Sequence, residues 1–306
     1  MKWPKPVSRT PRLGRASLSE KAAQRLTITL LLAPAILVIL LLFMGGLITG
    51  FLRSLGYFPL IGLNDFNFEA YTTIFTDNGF IRSFVLTFHI AFTSTLIASI
   101  LAVASAMLLR PAFRGKRFVQ FIFSLNLTIP HLVGAVGVLY LFSGSGLVSR
   151  LATGAGLIDS PQGFPAMVND PWAIGIIIQY VWKEIPFIGV IVLAILLSVG
   201  EDYESVARSL GANRWQAFRN VTLPLIMPGV VSASVIVFAF TFGAFEIPWL
   251  LGSTFPKALP VLAFESYTDV DLAARPQAMA MAMVIAVMSS LMILAYMKVS
   301  RRYVRS

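Results

Sequence analysis

Glu204-Ser-Val-Ala-Arg-Ser-Leu-Gly211-Ala-Asn-Arg-Trp-Gln-Ala-Phe-Arg-Asn-Val-Thr-Leu-Pro224 is a polar stretch set between two long apolar runs. Its acids come first, at Glu201, Asp202 and Glu204, and its arginines follow, at Arg208, Arg214 and Arg219. Acids in a first turn favour the positive end of a helix dipole, which predicts a helix starting near residue 201. Gly211 follows Leu210 where such a helix would end on a left-handed residue, a conformation glycine adopts without strain. Asn213, with Gln216 three residues on, has capping-box spacing and predicts a second short helix. Val206, Leu210, Trp215, Phe218 and Val221 form an apolar set on these otherwise polar helices, and Pro224 stands where the next apolar run begins. A water-facing loop bearing Trp and Phe needs something to bury them against, either its own membrane domain or a partner.

The rest of the chain explains what such a loop joins. Its 306 residues are 57% hydrophobic and 12% charged, whereas a soluble chain carries about 25% charged residues. Apolar runs cover about 26–52, 82–109, 118–142, 172–199, 225–251 and 276–297. Each is close to the roughly 20 residues a helix needs to cross about 30 Å of hydrocarbon, and too long for a barrel strand. The fold class is therefore an all-α membrane protein of six transmembrane helices. The first run is too long for a signal-peptide core and is read as an uncleaved span. Ahead of it, residues 1–25 form a basic tail in which Ser17-Leu-Ser-Glu20 has capping-box spacing. This tail is either a surface amphipathic helix or a disordered arm.

The net charge of +10 does not point to nucleic acid, because the basic residues cluster beside the apolar runs. The N-terminal tail, the 110–117 and 200–223 loops and the C-terminal tail (299–306, with Lys298 at its edge) hold most of them. The three remaining loops hold only Arg53, Arg82, Arg150, Lys257 and Arg275, beside most of the acids. By the positive-inside bias, both termini and the opening stretch face the cytoplasm. The chain divides into the tail, a membrane domain over 26–298 with its loop at 200–224, and the C-terminal tail. With no cysteine, disulfides and zinc-thiolate sites are excluded.

From Gly211 the stretch runs nine residues to Val221-Thr-Leu223-Pro224, with Ala207 four before the glycine. It resembles the cytoplasmic loop of permease subunits of binding-protein-dependent ABC importers (type I), which reads Glu-Ala-Ala, three residues, Gly, nine residues, Ile, one residue, Leu-Pro. Val221 stands for the Ile, while Ser205 and Val206 hold the Glu-Ala slots and Glu204 lies one residue early. Six helices with both ends inside extend the resemblance over most of the chain. It implies a coupling loop, made of Glu204, Ala207, Leu210, Gly211, Trp215, Phe218, Val221, Leu223 and Pro224, docked on a cytoplasmic ABC ATPase dimer. It implies a second permease subunit, homologous or identical, an external or periplasmic solute-binding protein, and a place in the bacterial inner membrane among lipids. The chain has no Gly-x-x-x-x-Gly-Lys-Ser/Thr loop, so the ATPase is expected to be a separate chain.

Charges at mid-bilayer cost about 2.5–3.5 kcal/mol or more each, so those present need partners or a wet cavity. Lys183 and Glu184 lie mid-way along the fourth run, about 100° apart on a helix, so they cannot face one neighbour. Either one lines a pathway while the other pairs across helices, or both serve as structural pairs. Glu246, between Gly243 and Pro248, suggests locally opened backbone and either a pathway role or pairing with Lys183. Asn126, Thr128, Pro130 and His131 read as a broken-helix lining, with His131 either a structural hydrogen-bonding group or a pathway residue. No His and carboxylate spacing suits a metal, and no catalytic elbow or carboxylate pair occurs, so no enzyme site, metal or cofactor is expected.

The Phe242-Gly-Ala-Phe-Glu246 and Trp182-Lys-Glu-Ile-Pro-Phe187 segments look like the spermidine/putrescine-type branch, which also includes iron, sulfate, thiamine and phosphonate systems. Glu184 and Glu246 against Lys183 lean toward a cationic solute such as a polyamine. The rivals are an ion-coupled secondary transporter, which calls for inverted repeats with paired broken helices, and a membrane scaffold with no transport role.

Overall fold

The computed structural model describes residues 18–304 apart from Ala112 and Glu201. The expected capping box at Ser17 and the acid Glu201 lie outside the described residues. In chain order the helices are α1 (Leu18–Ile39), α2 (Gly45–Ser54), α3 (Glu69–Thr76), α4 (Asn78–Leu109), α5 (Lys116–Thr128), α6 (His131–Phe142) and α7 (Leu147–Gly154). They continue as α8 (Ile174–Val199), α9 (Asp202–Ser209), α10 (Arg214–Ala217), α11 (Leu223–Gly243), α12 (Glu246–Leu251), α13 (Leu259–Thr268) and α14 (Arg275–Val304). Among the described residues six helical segments are long and apolar enough to cross a membrane: Ala22–Ser54, Asn78–Leu109, His131–Gly154, Ile174–Val199, Arg214–Gly243 and Leu272–Ala295.

The chain forms two units, Met1–Thr49 and Gly50–Ser306. In the first, α1 passes through a π turn at Leu40–Met44 into α2, and none of its described side chains is buried. The helical segment Ala22–Ser54 that it begins has an apolar window of mean hydropathy 2.9, which suits lipid or another apolar protein surface.

In the second unit α8 lies at the centre, packed against α4, α6 and α11. Small residues let the backbones approach: Ala98, Ala102 and Ala106 recur every four residues on α4 and meet Ile188, Val192 and Leu196 of α8. Ile226, Val230, Ala233 and Val237 of α11 close this core. At the α6–α8 crossing a Cβ on Gly134 would force the Gln179 amide and the Trp182 ring to shift. A further cluster joins α3, α13 and α14 through Ile74, Leu259 and Ala280, where the buried Thr87 Oγ1 accepts from the Leu259 N–H at 2.7 Å.

Two expected spans are not single helices. The run 118–142 is split at Ile129–Pro130 into α5 and α6, because Pro130 has no N–H for the Asn126 carbonyl and biases Ile129 to extended backbone, φ −76° and ψ 125°. The run 225–251 breaks at Ala244–Phe245, where α11 ends and α12 begins. In the other direction, the short helix capped by Asn213 does not stop before Pro224. It passes through a π turn at Phe218–Thr222 into α11, giving one helical segment from Arg214 to Gly243. Proline lacks an N–H and crowds the carbonyl four residues back; the wider π turn, in which the Leu223 N–H reaches Phe218 O, absorbs both at Pro224.

Candidate functional site

The loop between α8 and α11 is built by local chemistry. The Gly211 N–H donates to Arg208 O at 3.0 Å and the Ala212 N–H to Ala207 O at 3.0 Å, the paired bonds of a Schellman motif. Gly211 sits at φ +92°, in the left-handed region. Directly afterwards, the Gln216 N–H donates to Asn213 Oδ1 at 2.8 Å and the Asn213 N–H to Gln216 Oε1 at 2.9 Å, completing the capping box. These bonds satisfy backbone groups that the helix ends would otherwise leave unpaired.

Of the expected apolar set, Val206, Leu210 and Trp215 are exposed, Leu210 at 84% and Trp215 at 64%, with Tyr203 beside them. Phe218 and Val221 are half-buried, and the Trp215 and Phe218 rings lie 5.6 Å apart. Ala207 and Leu223 turn partly inward, while Pro224 is exposed. The membrane domain therefore leaves three of the five apolar residues uncovered.

Glu204 faces inward. Its Oε1 accepts from Arg110 Nη1 at 2.7 Å and from the Thr222 hydroxyl, while Arg110 Nη2 donates to the Gly200 carbonyl. Lys116 Nζ in turn donates to Arg110 O at 2.8 Å. Burial pushes the Glu204 carboxyl up, but the Thr222 hydroxyl and the Arg110 guanidinium outweigh it and hold the group below the ordinary value of 4.5. A depressed acid stabilises the fold at pH values above its unfolded value and loses that contribution as pH falls through the folded one. The contact is thus fully formed above about pH 5. Thermal midpoints of the wild type and Glu204→Gln should run parallel from pH 6 to 8 and converge only in stronger acid, as measured by unfolding in detergent.

Within the membrane domain the polar residues form a second constellation. Lys183 Nζ donates to the Asn126 and Ile129 carbonyls at the end of α5; the Asn126 carbonyl also accepts from the Ile129 N–H at 3.2 Å, whereas the Ile129 carbonyl lies at the Pro130 break. A cation there also complements the negative end of the α5 dipole. Pro186 in α8 cannot donate to Trp182 O, and Asn126 Nδ2 donates to that carbonyl at 2.6 Å. The two proline sites thus complete each other. Gln179 Nε2 adds a bond to His131 O at 3.1 Å.

Glu184, buried, meets His131 Nε2 at 3.2 Å, so Lys183 and Glu184 do take different neighbours. Glu246 is exposed in the first turn of α12. The expected pairing of Glu246 with Lys183 does not form, since Lys183 is occupied by carbonyls; the ion pairs among the described residues are Arg110–Glu204, His131–Glu184 and Lys257–Glu265. Glu246 and Glu184 both lie within electrostatic reach of the buried Tyr180 hydroxyl, which has no hydrogen-bond partner. Thr128 stands apart, its hydroxyl donating to Leu125 O of its own helix at 2.7 Å.

Sequence reasoning missed Arg110, Thr222, Gln179 and Tyr180. Arg110 was counted only as topology, and Thr222 as an unassigned position between Val221 and Leu223. The Asn126 contact had a readable signal: Pro186 four residues after Trp182 frees one carbonyl inside a membrane helix.

Residues 94–305 match the family described as "Binding-protein-dependent transport system inner membrane component". The molybdenum transport system permease protein ModB of Mycobacterium tuberculosis is 28% identical over 215 residues, 69% of this chain and 76% of that protein. The sulfate transport system permease protein CysT of Escherichia coli is 24% identical over 244 residues, covering 79% and 84%. In fold, the chain is similar to a bacterial ABC transporter involved in import of the acidic polysaccharide alginate, with a TM-score of 0.77 and 23% identity, covering 93% of this chain and 98% of that one. The family match spans well over half of the sequence, and with its six apolar helices the chain belongs to this family of multi-pass, inner-membrane permease subunits of ABC importers.

Proposed function

We propose that the chain forms half of a translocation pathway, paired with a second, homologous or identical permease, and that its 200–224 loop docks on a cytoplasmic ATPase dimer. A solute-binding protein outside the membrane delivers the solute, and ATP-driven motion of the loop alternates access to the pathway. The observation that carries the docking is the exposure of Leu210 and Trp215 about a turn in which the end of α9 and the start of α10 are internally bonded. A rigid element presenting apolar anchors suits a protein groove. The charge distribution of the loops supports placing this element and both termini in the cytoplasm. A fold neighbour, the bacterial alginate ABC transporter in complex with an alginate pentasaccharide-bound periplasmic protein, supports the delivery of solute by a separate protein.

Trp215→Ala is expected to lower co-purification of the co-expressed ATPase at least tenfold. Because Trp215 is largely exposed, the thermal midpoint of the permease alone should hardly move. Retained co-purification would sink the docking assignment.

For the solute, we favour a small cation such as a polyamine. Glu246 is exposed at a helix break, Glu184 is tied only to His131, and the Lys183 charge is absorbed by carbonyls. This leaves the candidate pathway groups Asn126, Thr128, His131, Glu184 and Glu246 net acidic. The alternative is an oxyanion, favoured by the names of the molybdenum and sulfate relatives. Uptake of labelled spermidine into vesicles holding the whole transporter, with spermidine, molybdate and sulfate as competitors, separates the two. No accumulation of labelled spermidine by vesicles that accumulate labelled molybdate or sulfate would overturn the cationic reading. Glu246→Gln should reduce spermidine uptake severalfold while leaving complex assembly intact.

A further inference from the structure

We propose that Glu204 is a positioning residue for transport: it ties α9 to the ends of three membrane spans, so that displacement of the loop moves all three together. Arg110 follows the last residue of α4, Gly200 follows the last residue of α8, and Thr222 lies in the π turn that enters α11. All three meet at one carboxylate–guanidinium contact, with the Arg110 side chain only 9% exposed. On α9, Tyr203, Ser205, Val206, Arg208 and Ser209 are exposed, and of its described side chains Glu204 and Ala207 turn toward the membrane domain. Ala207 offers one methyl group. Force applied to the exposed face of α9 therefore reaches the spans chiefly through Glu204. A one-residue offset turns a helical side chain by about 100°. That offset places the acid at position 204 against Arg110, while the residue in the outward-facing slot is Ser205.

The inference rests on the loop being the ATPase docking surface, and the test keeps the two apart. The chain has no cysteine, so Val133→Cys, an exposed position in the first turn of α6 beside the α5–α6 break, gives a single reporter in this chain. The complete transporter, with its ATPase co-purified, is reconstituted, and maleimide labelling at that cysteine is compared without nucleotide and with ATP plus vanadate. With Glu204 intact, labelling rates are expected to differ about tenfold between the two conditions. In Glu204→Ala the ATPase should stay bound and hydrolyse ATP, while the difference shrinks below twofold. Glu204→Gln, which keeps an oxygen acceptor for Arg110 and Thr222, should restore at least half of it on a logarithmic scale. An undiminished difference in Glu204→Ala overturns the proposal. Loss of the ATPase from that complex also overturns it, since Glu204 would then build the docking face rather than relay motion. If Glu204→Ala does not fold, Thr222→Val, which removes one hydrogen bond and no charge, carries the test with the same outcomes. Failure of Trp215→Ala to release the ATPase would count against docking itself.

Discussion

Lys183→Ala is expected to destabilise the permease by about 2–4 kcal/mol, read as a fall of the thermal unfolding midpoint in detergent. The ammonium satisfies the Asn126 and Ile129 carbonyls, and no water of the lipid phase replaces it. The abandoned Ile129 carbonyl costs about 1–3 kcal/mol and the Asn126 carbonyl, which keeps the Ile129 N–H, adds less, offset in part because alanine no longer holds a charge inside the membrane domain. Lys183→Met tests the same bonds with most of the side-chain volume kept, and should be nearly as damaging. An unchanged midpoint in both variants would show that the α5–α6 break is satisfied without this residue. The reciprocal contact allows a sharper check. Asn126→Ala should cost about 1–2 kcal/mol on its own, because Trp182 O loses its donor. In a Pro186→Ala background residue 186 regains an N–H for that carbonyl, and the cost of Asn126→Ala should nearly vanish. Strict additivity would refute the pairing of the two proline sites.

Gly211→Val is expected to lower ATPase co-purification at least tenfold, with Gly211→Asn within about twofold of wild type. A Cβ built at Gly211 meets nothing within 4 Å, so bulk is not what excludes other residues. The constraint is the backbone at φ +92°, which costs an ordinary residue about 1–2 kcal/mol and a β-branched one more, whereas asparagine visits this region readily. Valine would move the chain out of the left-handed turn, break the bonds to Arg208 O and Ala207 O, and misplace Leu210 relative to Trp215. Equal co-purification by the two variants would show that the left-handed turn is unimportant for docking.

The parts of this protein readable from the chain alone are those set by neighbours a few residues away. Six apolar runs follow from composition. The turn at Gly211 and the Asn213–Gln216 capping box follow from backbone preferences that span four or five positions. The exposed apolar set was legible too, because helical spacing places those residues without reference to the rest of the fold. Pro130 marked the break in the third run, although the pattern of hydropathy alone drew it as one span. The second short helix was drawn as ending before Pro224, since a π turn that carries a helix through a proline depends on how the whole segment packs.

What only the tertiary structure decided is the partnership of each buried charge. Glu204 reads in sequence as an acid one place out of register; its meaning comes from Arg110, 94 residues away. Lys183 and Glu246 look like a plausible pair, yet Lys183 is claimed by carbonyls of α5, one of them 57 residues away, and Glu246 is left exposed. An ion in a membrane domain takes whichever opposite dipole the helix packing brings within reach, and sequence spacing does not encode that distance. Local sequence determined the spans and the turns of the 200–224 loop. Packing determined which charges lock the helices together and which, like Glu246, remain exposed.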